Sequence, residues 1–147
     1  MKALLQRVKR AKVSVEDEIL GSIGPGLLVL LGVAKGDTRK NAENLADKTI
    51  NLRIFEDENA KMNLSALEMK LEVLVISQFT LLADTRRGRR PSFAGAAPSP
   101  EAEELYEHYA KSIEEHLKVA KGRFGAMMDV ELINDGPVTI MLEDPLS

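Results

Sequence analysis

The 147-residue chain is 44% hydrophobic and 29% charged with a formal net charge of -3, which is an ordinary globular composition, and its length predicts one domain over residues 1–147. Because cysteine is absent, disulfides, thiol nucleophiles and thiolate metal sites are excluded, which favours a reducing compartment, and we expect a cytoplasmic protein. The longest apolar stretch, Leu27–Ala34, is too short to cross a bilayer, so no membrane role is expected. Because the chain is acidic overall, it can attract a polyanion only through a local basic patch.

The first half of the chain has the pattern of three strands followed by a helix. Loose alternation over Lys2–Val15, continued as far as a turn at Gly24-Pro25-Gly26, predicts two antiparallel strands. The segment Leu27–Leu31 is too apolar for a half-exposed strand, which indicates a central strand covered on both faces. Asp37 or Thr38 can cap the helix, and its apolar face follows at helical spacing: Ala42, Leu45, Ala46, Thr49 and Ile50.

The second half has the pattern of short strands around a long loop and a second helix. Leu52–Phe55 and Leu71–Ile76 are predicted strands, separated by a polar connection. The segment Asp84–Pro98 has no periodicity and is rich in Arg, Gly, Pro and Ala, so we predict a long loop, which at this length is usually functional. A helix is predicted to begin at Ser99-Pro100 and to end at Gly122, with the following apolar face: Ala102, Leu105, Tyr106, Tyr109, Ala110, Ile113 and Leu117.

Two last strand candidates, Met127–Ile133 and Val138–Leu142, flank the segment Asn134–Pro137. Strands therefore outnumber helices, and most connections are short. We predict an α+β fold, a single domain in which a mainly antiparallel, curved sheet or barrel has two main helices packed outside.

The familiar arrangements of catalytic side chains are missing from the sequence. His108 and His116 lie on the last helix, off its apolar face, and solvated histidines are the simplest interpretation. There is no nucleophile elbow, phosphate-binding glycine loop, dinucleotide fingerprint or zinc-peptidase helix motif. We therefore expect neither a metal nor an organic cofactor.

Two segments depart from what packing alone would select. In Ser77-Gln78-Phe79-Thr80-Leu81 a buried strand runs into polar side chains, and such a strand end can bind an anion or an oxyanion, although hydroxyls bonded to neighbouring carbonyls would explain it equally well. In Asn134–Thr139, Gly136 can adopt backbone angles closed to other residues and the bond before Pro137 can be cis. A plain hairpin turn also accounts for this second segment.

Taken together, SQFTL and NDGPVT resemble the two signature motifs of the D-aminoacyl-tRNA deacylase family, also called D-tyrosyl-tRNA deacylases. The resemblance covers essentially the whole chain, including RRGRRPSF at Arg86–Phe93 and FGAMM at Phe124–Met128. It implies hydrolysis of the ester bond of D-aminoacyl-tRNA, and of glycyl-tRNA, to free amino acid and tRNA, as a chiral proofreading step. Its implied partners are aminoacyl-tRNA and a second copy of the chain.

The resemblance also implies how the homodimer selects its substrate. The Gly136-Pro137 pair of one subunit, in cis, would reach into the other subunit's site, hold the substrate α-amino group and exclude an L side chain. Arg7 resembles the family arginine that braces this pair, and an exposed strand charge is the alternative interpretation.

By the same resemblance, Ser77, Gln78, Phe79 and Thr80 would line the pocket for the terminal adenosine and the ester carbonyl. Backbone N–H groups near Phe79 and Thr80 would donate to the oxyanion. A threonine hydroxyl is a poor nucleophile without a base, and the sequence offers no identifiable base for Thr80. We therefore favour hydrolysis assisted by the 2′-hydroxyl of the tRNA ribose.

The dense basic cluster of the sequence consists of Arg86, Arg87, Arg89 and Arg90. It is a candidate docking site for the phosphates of the acceptor stem, and a merely solvated loop is the alternative. Two other functions remain open, a non-catalytic RNA-binding module that uses this loop and a small-molecule esterase. The two signature motifs count against the first, and the lack of a nucleophile–base pair counts against the second.

Overall fold

One long strand organises the sheet of the computed structural model, which describes residues 1–146. The strands are β1 Lys2–Val15, β2 Glu18–Ile23, β3 Gly26–Gly32, β4 Phe55–Glu56, β5 Met62–Leu64, β6 Glu72–Ser77, β7 Val119–Lys121 and β8 Asp129–Glu143. Strand β1 pairs antiparallel with β2 and β3 along one edge and with β8 along the other. Beyond β3 the sheet continues through β6 and β7, which are parallel to their neighbours. The predicted mainly antiparallel α+β fold is confirmed, and the parallel edge is an addition to it.

The sheet curves until its edges nearly meet. A Cβ atom built on Gly21 of β2 would lie 3.0 Å from the Cβ of Ala120 in β7, so a side chain at this position would require β7 to shift. The sheet separates two apolar cores, and Leu28 and Leu74 face the inner one while Leu27 and Val73 face the outer one. Strand β3 is therefore covered on both faces, as its apolar run predicts.

The helices cover the outer core. They are α1 Arg39–Asn51, α2 Ala66–Met69 and α3 Ser99–Glu114, and a 3₁₀ turn spans Phe79–Leu82. Thr38 caps α1 through a reciprocal capping box with Asn41, which agrees with the predicted start. Helices α1 and α3 pack together, and the hydroxyls of Thr49 and Tyr109 are hydrogen-bonded at 2.8 Å in the buried contact. The two main outer helices are thus confirmed.

The predicted end of the last helix is wrong. Helix α3 ends at Glu114 rather than at Gly122, and Val119–Lys121 forms β7 beside Val73–Val75 of β6. Local sequence does not distinguish the two states for such a short segment, because pairing with β6 decides its structure. Similarly, the strand predicted over Leu52–Phe55 is limited to Phe55–Glu56, which pairs with β5 in the expected polar connection.

The last two predicted strands are one. Residues 129–134 and 139–143 both pair antiparallel with β1, so the chain does not reverse at Asn134–Pro137. The register shifts between Gln6 and Val8 and again between Val8 and Arg10. The motif is therefore a bulge that projects from a continuous strand, not the hairpin turn that was one interpretation of it.

Candidate functional site

Strand β6 ends at Ser77, and the backbone there exposes donors. The N–H of Gln78 still donates to the carbonyl of Leu31, at 2.8 Å, and the chain then turns into the 3₁₀ helix. Within residues 1–146, the N–H groups of Phe79 and Thr80 have no backbone acceptor, because the first N–H groups of a helix have no partner inside it. Two adjacent donors are thus available to a bound group.

The side chains of this segment are open to solvent. Phe79 is 55% exposed, and Thr80 is exposed next to it. The Thr80 hydroxyl lies 2.5 Å from Nε2 of Gln78, so its partner is an amide rather than a carbonyl of the backbone. An amide does not accept a proton at neutral pH, so the described residues give Thr80 no general base.

The long loop after this segment folds back over it. Asp84 and Ser92 exchange two backbone hydrogen bonds, of 2.8 and 3.0 Å, so residues 84–92 form a hairpin-like loop rather than an irregular one. The ring of Phe93 then meets the ring of Phe79 edge to face, with 5.0 Å between the centroids. This contact, which the sequence did not indicate, packs the end of the loop that carries the arginine cluster against Phe79.

The four arginines of the loop are not equivalent. Arg86 contacts Asp84 through Nε at 2.9 Å and Nη2 at 2.7 Å, and this hydrogen-bonded pairing lowers the pKa of Asp84 to about 2. Arg87, Arg89 and Arg90 are exposed and form no ion pair with any residue of 1–146. These three arginines therefore carry most of the uncompensated positive charge of the loop.

Arg7 lies below the bulge of β8 and is only 6% exposed. Its Nε donates to the carbonyl of Asp135 at 2.8 Å, and its Nη1 donates to the carbonyl of Ile54 at 2.7 Å. The alternative of an exposed strand charge is wrong. The structure places Arg7 where it supports the backbone that precedes Gly136.

The bulge itself is closed by Asn134. Its Oδ1 accepts from the N–H of Val138 at 2.7 Å, and its Nδ2 donates to the carbonyl of the same residue at 3.1 Å. Between Asn134 and Val138, the Gly136–Pro137 peptide bond is cis, and both Gly136 and Pro137 are exposed. Gly136 has φ +147°, and a Cβ on it would lie 2.8 Å from the nitrogen of Val138. Sequence reasoning missed the role of Asn134, although its place in the motif was a signal.

The two motifs lie far apart within one chain. Arg7 pairs with Leu27 of β3, whereas Ser77 pairs with Leu31, so they lie near opposite ends of that strand. Four residues correspond to about 13 Å along the strand, and β8 and β6 are separated by three strand spacings, about 14 Å. Ser77–Thr80 and Gly136–Pro137 of one chain therefore cannot line the same small pocket.

Among residues 1–146, neither histidine imidazole is hydrogen-bonded to a hydroxyl group that could act as a nucleophile. His108 contacts Glu43, with 3.0 Å between Nε2 and Oε1, and this hydrogen bond lowers the pKa of the glutamate. His116 is exposed. In the part of the chain that the structure describes, no group of three or more acidic or histidine side chains could hold a metal ion. No helix within the same residues is long and apolar enough to cross a membrane.

Comparison with known proteins places these features in a family. The profile of the D-Tyr-tRNA(Tyr) deacylase family matches residues 4–143. The chain belongs to this family. A D-aminoacyl-tRNA deacylase of Dehalococcoides mccartyi is 59% identical over 97% of this chain and 94% of the relative. One of Thermosipho africanus is 54% identical over 97% of both chains.

Solved structures agree with the family's fold. A structure described as a c-Myc DNA Unwinding Element Binding Protein superposes with a TM-score of 0.93 at 42% identity, and covers 99% of this chain and 100% of its own. A probable eukaryotic D-amino acid tRNA deacylase superposes with a TM-score of 0.84 at 16% identity, over 97% and 98% of the two chains. This second likeness shows the fold alone.

Proposed function

We propose that this protein hydrolyses the ester bond of D-aminoacyl-tRNA and releases the D-amino acid and the tRNA. The observation that carries the proposal is the pair of free N–H groups at Phe79 and Thr80, at an exposed strand end, in a chain of the deacylase family. Ester hydrolysis passes through a tetrahedral oxyanion, and two preorganised N–H donors stabilise such a charge without a metal ion.

The substrate supplies the group that the protein lacks. Water attacks the ester carbonyl and forms the new C–O bond while the ribose 2′-hydroxyl relays its proton. The acyl–O3′ bond then breaks, and the 3′-oxygen leaves with that proton. Thr80 orients the ester through its contact with Gln78 and forms no bond to the substrate carbon. An aminoacyl ester is already reactive, so positioning and oxyanion stabilisation are sufficient.

The site is completed by a second copy of the chain. Because Gly136–Pro137 lies at the opposite end of β3 from Ser77, the Gly-Pro pair that faces Thr80 belongs to the partner subunit. The exposed Gly136 and Pro137 then hold the α-amino group with backbone oxygens and leave no space for an L side chain. Glycine has no such side chain, so glycyl-tRNA is also a substrate.

The loop of residues 84–92, which carries the four arginines and is called the arginine loop below, binds the rest of the tRNA. The contact between the rings of Phe79 and Phe93 supports this role for Arg87, Arg89 and Arg90, because it packs the end of their loop against the proposed adenosine site. Phosphates of the acceptor stem are the polyanion that such a cluster attracts, even on a chain with a net charge of -3.

A non-catalytic nucleic-acid-binding module is the second candidate, and the name of one solved relative, a DNA unwinding element binding protein, favours considering it. Free N–H groups at Phe79 and Thr80 and an exposed Gly136–Pro137 pair are not needed for phosphate binding alone. The deciding experiment compares the deacylation of D-tyrosyl-tRNA and L-tyrosyl-tRNA by the purified protein. Rapid release from the D ester alone supports the proposal, whereas binding of both without release supports the second candidate.

A further inference from the structure

Two adjacent cations, Lys9 and Arg10, project from the middle of β1. Both residues are exposed, although neighbours on a regular strand point to opposite faces. The register of β1 against β8 shifts between Val8 and Arg10, so the strand is irregular at this point and both side chains reach solvent.

Neither cation is neutralised. Lys9 and Arg10 form no ion pair within residues 1–146, whereas the nearby Lys12 is paired with Glu131 at 3.0 Å. Arg10 lines an open groove of about 390 Å³ together with Lys12, Ser22 and Ile133. The groove is lined by the carboxylate of Glu131, which is paired with Lys12. The neighbouring pocket beside Val8 is lined by Glu56 and by Asp135, whose carboxylate lies 3.8 Å from Nε of Arg7.

These cations lie close to the projection of β8. Lys9 and Arg10 follow Arg7 by two and three residues, about 7 and 10 Å along the strand. Arg7 holds the backbone of Asp135, directly before Gly136. The Lys9–Arg10 pair and the Gly136–Pro137 pair are thus carried by the same end of the same subunit.

From this placement we infer that Lys9 and Arg10 of one subunit bind phosphates of the tRNA whose aminoacyl end lies in the other subunit's site. The inference rests on the proposed function, because the partner's Gly-Pro pair brings these cations to the substrate. Each tRNA is then held from two sides, by the arginine loop of the chain that supplies Thr80 and by the basic pair of the chain that supplies Gly136. The contacts are to phosphate, so they carry no base specificity.

The first test replaces both cations in the dimer, Lys9→Ala with Arg10→Ala. The KM for D-tyrosyl-tRNA is expected to rise about tenfold while kcat stays within about twofold, because phosphate contacts position the tRNA and do not touch the reacting ester. The salt dependence of binding, measured with a non-hydrolysable 3′-amide of D-tyrosyl-tRNA, is expected to lose about 1.5 units of slope. The matched control, Lys48→Ala with Lys111→Ala, removes two exposed helical cations and should change neither quantity.

The second test distinguishes contact across the dimer from contact within one chain. In a mixed dimer, one chain lacks Arg87 and Arg89 and the other lacks Lys9 and Arg10. One site then loses both sets of cations and the other loses none, so half of the sites keep the KM of the unchanged protein. When all four substitutions are on one chain, every site loses one set and no site keeps that KM.

The opposite pattern in the two mixed dimers would overturn the cross-subunit assignment. An unchanged KM and an unchanged salt slope in the double variant, while the arginine-loop variant alters both, would overturn the inference and leave the proposed function intact. If the unchanged protein releases no D-tyrosine from D-tyrosyl-tRNA, the proposed function fails first. Thermal unfolding of each variant shows whether a loss reflects misfolding.

Discussion

The two motif segments solve opposite structural problems. At Ser77–Thr80 the backbone leaves two N–H groups free, and the side chains of Phe79 and Thr80 are exposed. At Asn134–Thr139 the backbone is held by side chains, because Asn134 closes the bulge and Arg7 supports it from a buried position. The first segment therefore has open hydrogen-bond donors for a bound group, whereas the second has a backbone fixed by its own side-chain contacts where it projects from the strand.

This difference indicates where each segment is vulnerable. A receiving site depends on the group that it binds, so changes in the substrate should matter more than loss of one of its side chains. A rigid projection depends on its internal support, so one added methyl group or one lost hydrogen bond should matter greatly.

The largest effect is expected from the substrate side of the comparison. D-tyrosyl-tRNA that ends in 2′-deoxyadenosine should be hydrolysed about a thousandfold more slowly, because the group that relays the proton is missing. Single-turnover rates measure the chemistry, and a separate binding measurement excludes lost affinity as the cause. Normal cleavage of the deoxy substrate would refute substrate assistance.

The next largest effect on activity is expected from a change in the projecting bulge of β8, at Gly136. Gly136→Ala places a Cβ 2.8 Å from the nitrogen of Val138 at a φ of +147°, so the backbone must move and the Gly-Pro pair is misplaced. We expect kcat/KM on D-tyrosyl-tRNA to fall about a hundredfold. Gly95→Ala is the matched control, because an added Cβ there meets nothing within 4 Å, and it should retain full activity. Equal activity of the two variants would show that the projection is not part of the site.

The third prediction concerns Arg7, the buried side chain that supports the bulge of β8. Arg7→Met leaves the carbonyls of Asp135 and Ile54 without their donor, and we expect the free energy of unfolding to fall by about 2 to 4 kcal/mol. Chemical denaturation measures this change. Lys9→Met, two residues along the same strand but exposed, should leave stability within about 0.5 kcal/mol. A stability loss of the same size in both variants would contradict a bracing role for Arg7.

The arginine loop offers a graded test. Arg87→Ala with Arg89→Ala should weaken tRNA binding about tenfold, whereas Arg86→Ala should weaken it less, because Asp84 already neutralises Arg86. The lowered pKa of Asp84, about 2, means that the pairing is complete above its ordinary value near 4 and is lost only as the pH falls through about 2. The difference in tRNA affinity between the Arg86 variant and the Arg87 and Arg89 variant should therefore be constant between pH 5 and 8, and filter binding can measure it.

The smallest effect is expected at Thr80. Thr80→Ala removes one positioning contact and should reduce kcat less than about tenfold, because the free N–H groups remain. A trapped acyl-enzyme on Thr80, or an inactive alanine variant that still folds, would establish a covalent mechanism instead.

The sequence predicted most of the fold because hydrophobic periodicity decides the long elements. Helix α1, the apolar face of α3 and the doubly covered strand β3 all follow from spacing and capping that act locally. It did not predict β7, or that β8 continues through Asn134–Pro137, because pairing with distant strands determines both. A three-residue edge strand has too little local signal to be recognised.

For the site, the sequence identified the motif residues but not their relation in space. That Ser77 and Gly136 lie at opposite ends of β3 depends on the register of three strand pairs, which no local pattern encodes. The contact between Phe79 and Phe93 and the neutralisation of Arg86 by Asp84 likewise depend on how the loop folds back. These contacts therefore determine which arginines keep an uncompensated charge and how far apart the two motifs lie in one chain.

The pairing of β1 with β8 also sets the order in which the protein matures. Lys2 of β1 pairs with Glu143 of β8. Strand β1 is synthesised first, and it cannot pair with β8 until nearly all other elements have emerged from the ribosome. Contacts of such high sequence separation slow folding, and the first half of β1 is meanwhile paired only with β3. The projection with Gly136–Pro137 has no scaffold before that moment. A chain that ends before β8 therefore lacks this exposed pair, and the pair is presented only once the whole sheet has formed.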